Sequence, residues 1–139
     1  MTSEELLKIK KYINGAYPSF KDNDQNDAVW FDLLKDYSFN GIIESVKQYV
    51  INGNKFTPSI AEIISGYKVL LTEQNEQILH DMEINGEFDD TSLNSIETFE
   101  WNYNNRKRKM KMYLSGECYI PPYYEEIINR YKQNKLLLK

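Results

Sequence analysis

The chain has 139 residues, a formal net charge of −4, and 41% hydrophobic and 27% charged residues. These values fit a globular chain of one domain, or of a small domain with an appendage, and no apolar run approaches the roughly 18 residues that a membrane-spanning helix needs. Cys118 is the sole cysteine, which excludes a disulfide framework within the chain and points to an intracellular setting.

Ser3 before Glu4-Glu5 reads as a helix N-cap with acids in the first turn, and no signal peptide is expected at this start. Leu6, Ile9, Ile13 and Ala16 then recur at helical spacing, and Pro18 ends the helix. SFKDNDQND (19–27) is a polar loop whose Asn26 or Asp27 caps a second helix with the stripe Val29, Trp30, Leu33, Leu34 and Tyr37. Asn40 caps a third, carrying Ile42, Ile43, Val46, Tyr49 and Val50, and NGN (52–54) is a stop. In KFTPSIAEII, Thr57 suits an N-cap, Pro58 the first helical position, and Phe56 a staple onto Ile60 or Ala61. Gly66 weakens the following helix without ending it; the pattern runs through Tyr67, Val69, Leu70, Ile78, Leu79 and Met82 to Asn85-Gly86.

EFDDTSLNS (87–95) is acidic and poor in apolar residues. A helix over about 96–114 follows, capped by Asn94 or Ser95, and Gly116 ends it. Pro121-Pro122 opens the last helix, over 120–135. Apolar residues sit at helical spacing and nowhere alternate. The expected fold class is therefore all-α. A small helical bundle forms an N-terminal domain over 1–84, an acidic linker spans 85–95, and a basic, aromatic-rich helical extension covers 96–139.

Catalytic chemistry is not expected. His80, the only histidine, lies on a polar stretch without a nucleophile and orienting group to complete a set. Cys118 has no CxxC partner for zinc. Neither GxxxxGK[ST] nor GxGxxG occurs. Glu87, Asp89 and Asp90 read as a solvated loop rather than a magnesium site. No enzyme activity, cofactor or metal is expected.

Charge is unevenly spread: residues 1–105 carry a net −10 and residues 106–139 a net +6. Within NNRKRKMKMYL, Arg106, Lys107, Arg108, Lys109 and Lys111 are five cations in six positions. On a helix they spread around most of the circumference. Three readings stay open: a solvated helix end, contact with an acidic protein, and contact with nucleic acid, where Tyr103, Tyr113 and Tyr119 would stack bases. Met110 and Met112 favour an adaptable protein surface.

From Tyr12 to Ile64 the chain resembles a known family. The carriers are NGAYPSF (14–20), VWFDLLKDYSFNGIIESVKQYV (29–50) and KFTPSIAEI (55–63). They supply Tyr17-Pro18, Trp30, Leu33-Leu34-Asp36-Tyr37, Tyr49-Val50 and Pro58-Ile60-Glu62-Ile63 in order. This order and spacing resemble the phage-encoded loader and inhibitor of the replicative hexameric helicase. The resemblance implies a helical N-terminal domain and a C-terminal segment that contacts the helicase, holds it off single-stranded DNA and hands it to an origin-bound initiator. It places the protein in the cytoplasm of a bacterial host.

FTPSIAEII (56–64) and IPPYYEEII (120–128) share Pro, Glu and an Ile pair at matching positions, and both read as proline-initiated helix starts. The first faces a core with Trp30 and Tyr49. The second adds Tyr123 and Tyr124 to a face of Ile127, Ile128 and Tyr131, more aromatic surface than a terminal helix needs. The expected partner-binding residues are therefore Tyr103, Arg106, Lys107, Arg108, Lys109, Met110, Lys111, Met112, Tyr113, Tyr119, Tyr123, Tyr124, Ile127 and Tyr131. The expected partner is the replicative helicase or its loader. The alternative is a small DNA-binding or transcription regulator that uses the basic end.

Overall fold

In the computed structural model the described residues are 1–21, 24–89 and 96–133, with side chains described for all of these except 24, 25 and 96–101. Among them there are six α-helices and no strand: α1 Ser3–Ala16, α2 Asp24–Leu34, α3 Phe39–Ile51, α4 Ile60–Ile84, α5 Ile96–Ser115 and α6 Pro122–Lys132. The all-α expectation holds.

The helix starts follow side-chain chemistry more closely than the apolar stripes do. Thr2, not Ser3, caps α1. Its hydroxyl accepts from the Glu5 N–H while the Glu5 carboxylate accepts from the Thr2 N–H, a reciprocal capping box. Ser38, not Asn40, caps α3 through the Gly41 N–H. Ser59 forms a second box with Glu62, so α4 starts after Ser59 and not at Pro58. That shift leaves Phe56 too far upstream to staple onto the helix, and it is 82% exposed. Asp27 does not cap α2, which already starts at Asp24; its carboxylate pairs with Lys10 instead. The caps expected at Asn94 or Ser95 lie outside the described residues. Pro121-Pro122 does open α6.

Two compact units result, Met1–Leu71 and the described residues from Thr72 on. The division falls inside α4, ahead of residue 84, where the Asn85-Gly86 break pointed. Packing is the reason. Ile78 and Met82 are fully buried and belong with Phe88, Met110, Leu114, Ile127 and Ile128 in the second unit's core. The Asn75 amide also donates to the Leu114 carbonyl at 3.0 Å. Of the stretch expected as a linker, residues 85–89 are part of this unit, with Phe88 1% exposed; 90–95 lie outside the described residues.

In the first unit α1 packs on α2 and α3. Leu6, Ile9, Ile13, Tyr17, Trp30, Leu34, Ile42, Val46, Ile63 and Tyr67 form the core, with Tyr49, Ile60 and Ile64 against it. Two glycines let helices meet closely. A methyl group at Gly41 would overlap the Tyr67 ring, and one at Gly66 the Ser45 hydroxyl, which donates to the Ile63 carbonyl at 2.6 Å. Gly66 is thus a packing residue of α4, and its helix-weakening cost is offset by close approach. Lys10 lies in this core with no exposed surface; its ammonium pairs with Asp27 and sits 5.5 Å from the Trp30 ring centroid. The α3–α4 turn is held by hydroxyls: Tyr17 donates to Asn54 O and Tyr49 to Phe56 O, at 2.7 and 2.9 Å.

Two substitutions test this core. Trp30→Ala removes a buried indole and is expected to cost about 3–5 kcal/mol. Asp27→Ala strips a carboxylate from a buried ammonium and is expected to cost about 2–3 kcal/mol, most of it recovered by adding Lys10→Met. Chemical denaturation followed by circular dichroism measures both; an unchanged midpoint for Asp27→Ala would show that Lys10 is stabilised by other groups.

Candidate protein-binding site

The second unit sorts the five cations of α5 into two sets. Lys107 reaches the Glu83 carboxylate at 2.5 Å, and Arg106 donates to the Asp89 carbonyl at 3.0 Å. Arg108, Lys109 and Lys111 are exposed. Arg108 donates to the Asn105 amide oxygen, and among the described residues no carboxylate pairs with Lys109 or Lys111. The sorting follows from helical geometry. Tyr103, Lys107, Met110 and Leu114 fall on one face at spacings of three and four. That face meets α4 through Glu83 and the core, which leaves Arg108 and Lys109 turned away from it and Lys111 at its edge.

Glu83 also accepts from the Tyr103 hydroxyl. These contacts, Lys107 first, hold the Glu83 carboxyl below its usual range. In return the Tyr103 phenol is pushed up to about 12, mainly by its hydrogen bond to Glu83 and then by burial. Its ring stands edge-on to Phe88 with centroids 6.0 Å apart. Tyr131 accepts from the Asn85 amide at 3.1 Å and donates to Glu87 at 2.8 Å, and burial raises its pKa. Tyr113 and Tyr124 stack tilted at 5.2 Å, and Tyr124 meets Tyr123 edge-on at 5.4 Å.

Between these side chains lies a cavity of about 150 Å³. Phe88, Met110 and Ile127 line it from the core, Tyr123 and Tyr124 add phenols, and Arg106 and Glu87 add one charge of each sign, so its exposed lining is more polar than apolar. Five of the residues expected at the site therefore converge here: Arg106, Met110, Tyr123, Tyr124 and Ile127. Met110 and Ile127 are core residues, 3% and 7% exposed, and meet an incoming group only through this cavity, because their helix faces point into the unit. Tyr103, Lys107, Tyr113 and Tyr131 make contacts inside the unit, and Met112 is half-buried. Tyr119 and Tyr123 are 81% and 71% exposed. Sequence reasoning missed Glu87 and Phe88, hidden in a stretch read as linker; the one apolar residue among acids was the available signal. A wider apolar depression of about 290 Å³ in the first unit is lined by Leu6, Leu7, Ala28 and Phe31, with Ser3 and Asp27.

His80 and Cys118 are exposed. Among the described residues no cluster of three or more His, Cys, Asp or Glu is placed to hold a metal, and no helix is long and apolar enough to cross a membrane. The arrangement offers shape, charge and aromatic surface.

Residues 1–64 match a family model, that of the N-terminal domain of the phage helicase loader and inhibitor. The N-terminal half thus resembles this family over the first three helices and the first turn of α4. No curated protein and no solved structure matches the chain. The cavity and the exposed cations lie beyond the matched residues.

The Tyr103–Glu83 bond has a pH signature. A phenol whose folded pKa exceeds its unfolded value of 10.0 contributes stability that is complete below pH 10 and is lost as pH rises through about 12. Tyr103→Phe is therefore expected to lose less stability than the parent across that window. Thermal melts of both proteins at its two ends check this; parallel losses would show that Glu83 does not hold the phenol.

Proposed function

We propose that the protein is a phage DNA-replication accessory factor that binds the hexameric replicative helicase, or its loader, in the cytoplasm of the bacterial host. It acts by binding rather than catalysis, and controls helicase activity and loading at the origin. The observation that carries this reading is the family match over residues 1–64. The second unit supports it with a surface suited to a protein partner. Tyr119 and Tyr123 stand out as exposed aromatics, the kind that anchor interfaces. Arg108, Lys109 and Lys111 supply charge that speeds encounter with an acidic surface. The same exposed phenols and cations are what a single-stranded DNA binder would use, so DNA is the control.

Mixing the purified protein with the host's helicase, and separately with its loader, is expected to give a stable complex with one of them and to change helicase ATPase and DNA binding. A mobility shift of DNA by the protein alone at about 150 mM salt, with no complex with either protein, would favour the regulator instead.

Kinetics separate the two parts of the surface. Reversing Arg108, Lys109 and Lys111 to Glu is expected to slow association about tenfold and flatten its salt dependence, with little change in melting temperature, since exposed charges contribute little to folding. Arg106 and Lys107 are spared because they hold the unit together. Tyr123→Ala is expected to raise the off-rate about tenfold. A surface-binding assay in which neither variant differs from the parent would move the interface to the first unit.

A further inference from the structure

In the first unit α1 packs on α2, and the two helices leave a depression lined by Ser3, Leu6, Leu7, Asp27, Ala28 and Phe31. Ser3 and Leu7 lie one turn apart on α1, as Asp27 and Phe31 do on α2. Ser3 and Ala28 are small, and a gap opens beside them. Its volume is about 290 Å³, roughly twice the 150 Å³ of a cavity that takes a benzene ring. Its exposed lining is mostly apolar. Leu6 is buried in the core, whereas Ser3, Leu7 and Ala28 are exposed, so the space is open to solvent on one side.

The one charged group in this lining is the Asp27 carboxylate. Its Oδ1 pairs with the buried Lys10 ammonium, yet the side chain stays 34% exposed. Among the described residues no donor reaches its second oxygen. The Lys10–Asp27 pair is neutral as a whole, so that oxygen calls for a donor without a full charge. The charges further out are close to balance. On α1 the exposed Glu4 is countered by Lys8 and Lys11. On α2 Asp24 opens the helix, and Asp32 holds Lys35 at 3.3 Å. The N-terminal ammonium donates to the Lys35 carbonyl. No excess of either sign selects a charged ligand.

We infer that this depression takes one tryptophan side chain of a protein partner, whose indole N–H donates to the second oxygen of Asp27. A bicyclic ring fills space that a single ring leaves half empty. The indole nitrogen is a donor only, and it brings no charge to a carboxylate that Lys10 already balances. Tryptophan is also among the side chains that most often anchor interfaces. A free small molecule is covered over roughly 70–90% of its surface in its site. This depression is open on one side, so the partner's own chain supplies the missing cover. The inference rests on the first unit alone and not on the helicase reading.

The full chain, with Leu and Ala methyls labelled, is titrated with acetyl-Gly-Gly-Trp-Gly-Gly-amide and with the same peptide carrying N-methylated indole. The first is expected to shift the Leu7 and Ala28 methyl signals to saturation. The second has no N–H and is expected to bind about tenfold more weakly. In the double variant Lys10→Met, Asp27→Leu, which removes the acceptor together with the charge that balances it, the two peptides are expected to bind alike. Leu7→Asn, at an exposed position outside the core, is expected to abolish binding with an unchanged melting temperature. Unmoved Leu7 and Ala28 signals in the parent, equal binding of the two peptides to it, or a preference that survives the double variant would overturn the inference. So would equal binding of a peptide with lysine in place of tryptophan. Free indole binding more tightly than the peptide would make this a small-molecule site and remove the protein partner.

Discussion

Glu83 decides what the second unit presents to its surroundings. It takes two donors from α5, Tyr103 and Lys107, which lie one turn apart. Two contacts on one carboxylate fix the rotation of a helix as one contact does not. With the rotation fixed, Met110 and Leu114 turn inward while Arg108, Lys109 and Lys111 turn outward. The energy comes from elsewhere. Glu83 and Lys107 are both partly exposed, and such a pair contributes little to stability. Each buried Ile, Met or Phe contributes about 1.5–3 kcal/mol, and the core holds Ile78, Met82, Phe88, Met110, Ile127 and Ile128. Apolar burial holds the unit together; the carboxylate selects its register.

The first unit solves a different problem by different means. Its helices approach closely, α3 and α4 through Gly41 and Gly66, and its one fully buried ammonium is matched by Asp27 and the Trp30 ring. Both devices demand an accurate fit, because a misplaced methyl clashes and an unmatched buried charge is costly. The α3–α4 turn is pinned just as tightly by Tyr17 and Tyr49. These residues all fall within or next to the segment that matches the helicase loader and inhibitor family. Tyr17, Trp30 and Tyr49, which carry the resemblance in the sequence, are therefore packing and pinning residues in the structure.

The helices were legible because their apolar residues recur at helical spacing, and the stops at Gly53, Gly86 and Gly116 because all three take positive φ. The starts were misjudged where two candidate caps lay close together. Thr2 and Ser59 win over Ser3 and Thr57 because each has a Glu three residues on, and a reciprocal box outweighs a lone hydroxyl. Lys10 was invisible as a core residue because its burial depends on Asp27, and a pair across a helix junction leaves no periodic trace. The cavity was half legible. Arg106, Tyr123 and Tyr124 stood out by type, but Glu87 and Phe88 reach it only because the chain folds back after Gly86.

The change of charge sign along the chain looks at first like two separate surfaces. The structure narrows it. Glu83, part of the acidic excess, takes up Lys107, and the Asp89 carbonyl takes up Arg106, inside one unit. What remains exposed is smaller: three cations on α5, the phenols of Tyr119 and Tyr123, and a cavity that Tyr123 lines. Charges of this kind act over about a Debye length, roughly 8 Å at physiological salt, and steer a partner before contact. Aromatic anchors and a cavity act only on contact and set how long it lasts. A surface that carries both can be changed in encounter rate without losing residence time, and the reverse.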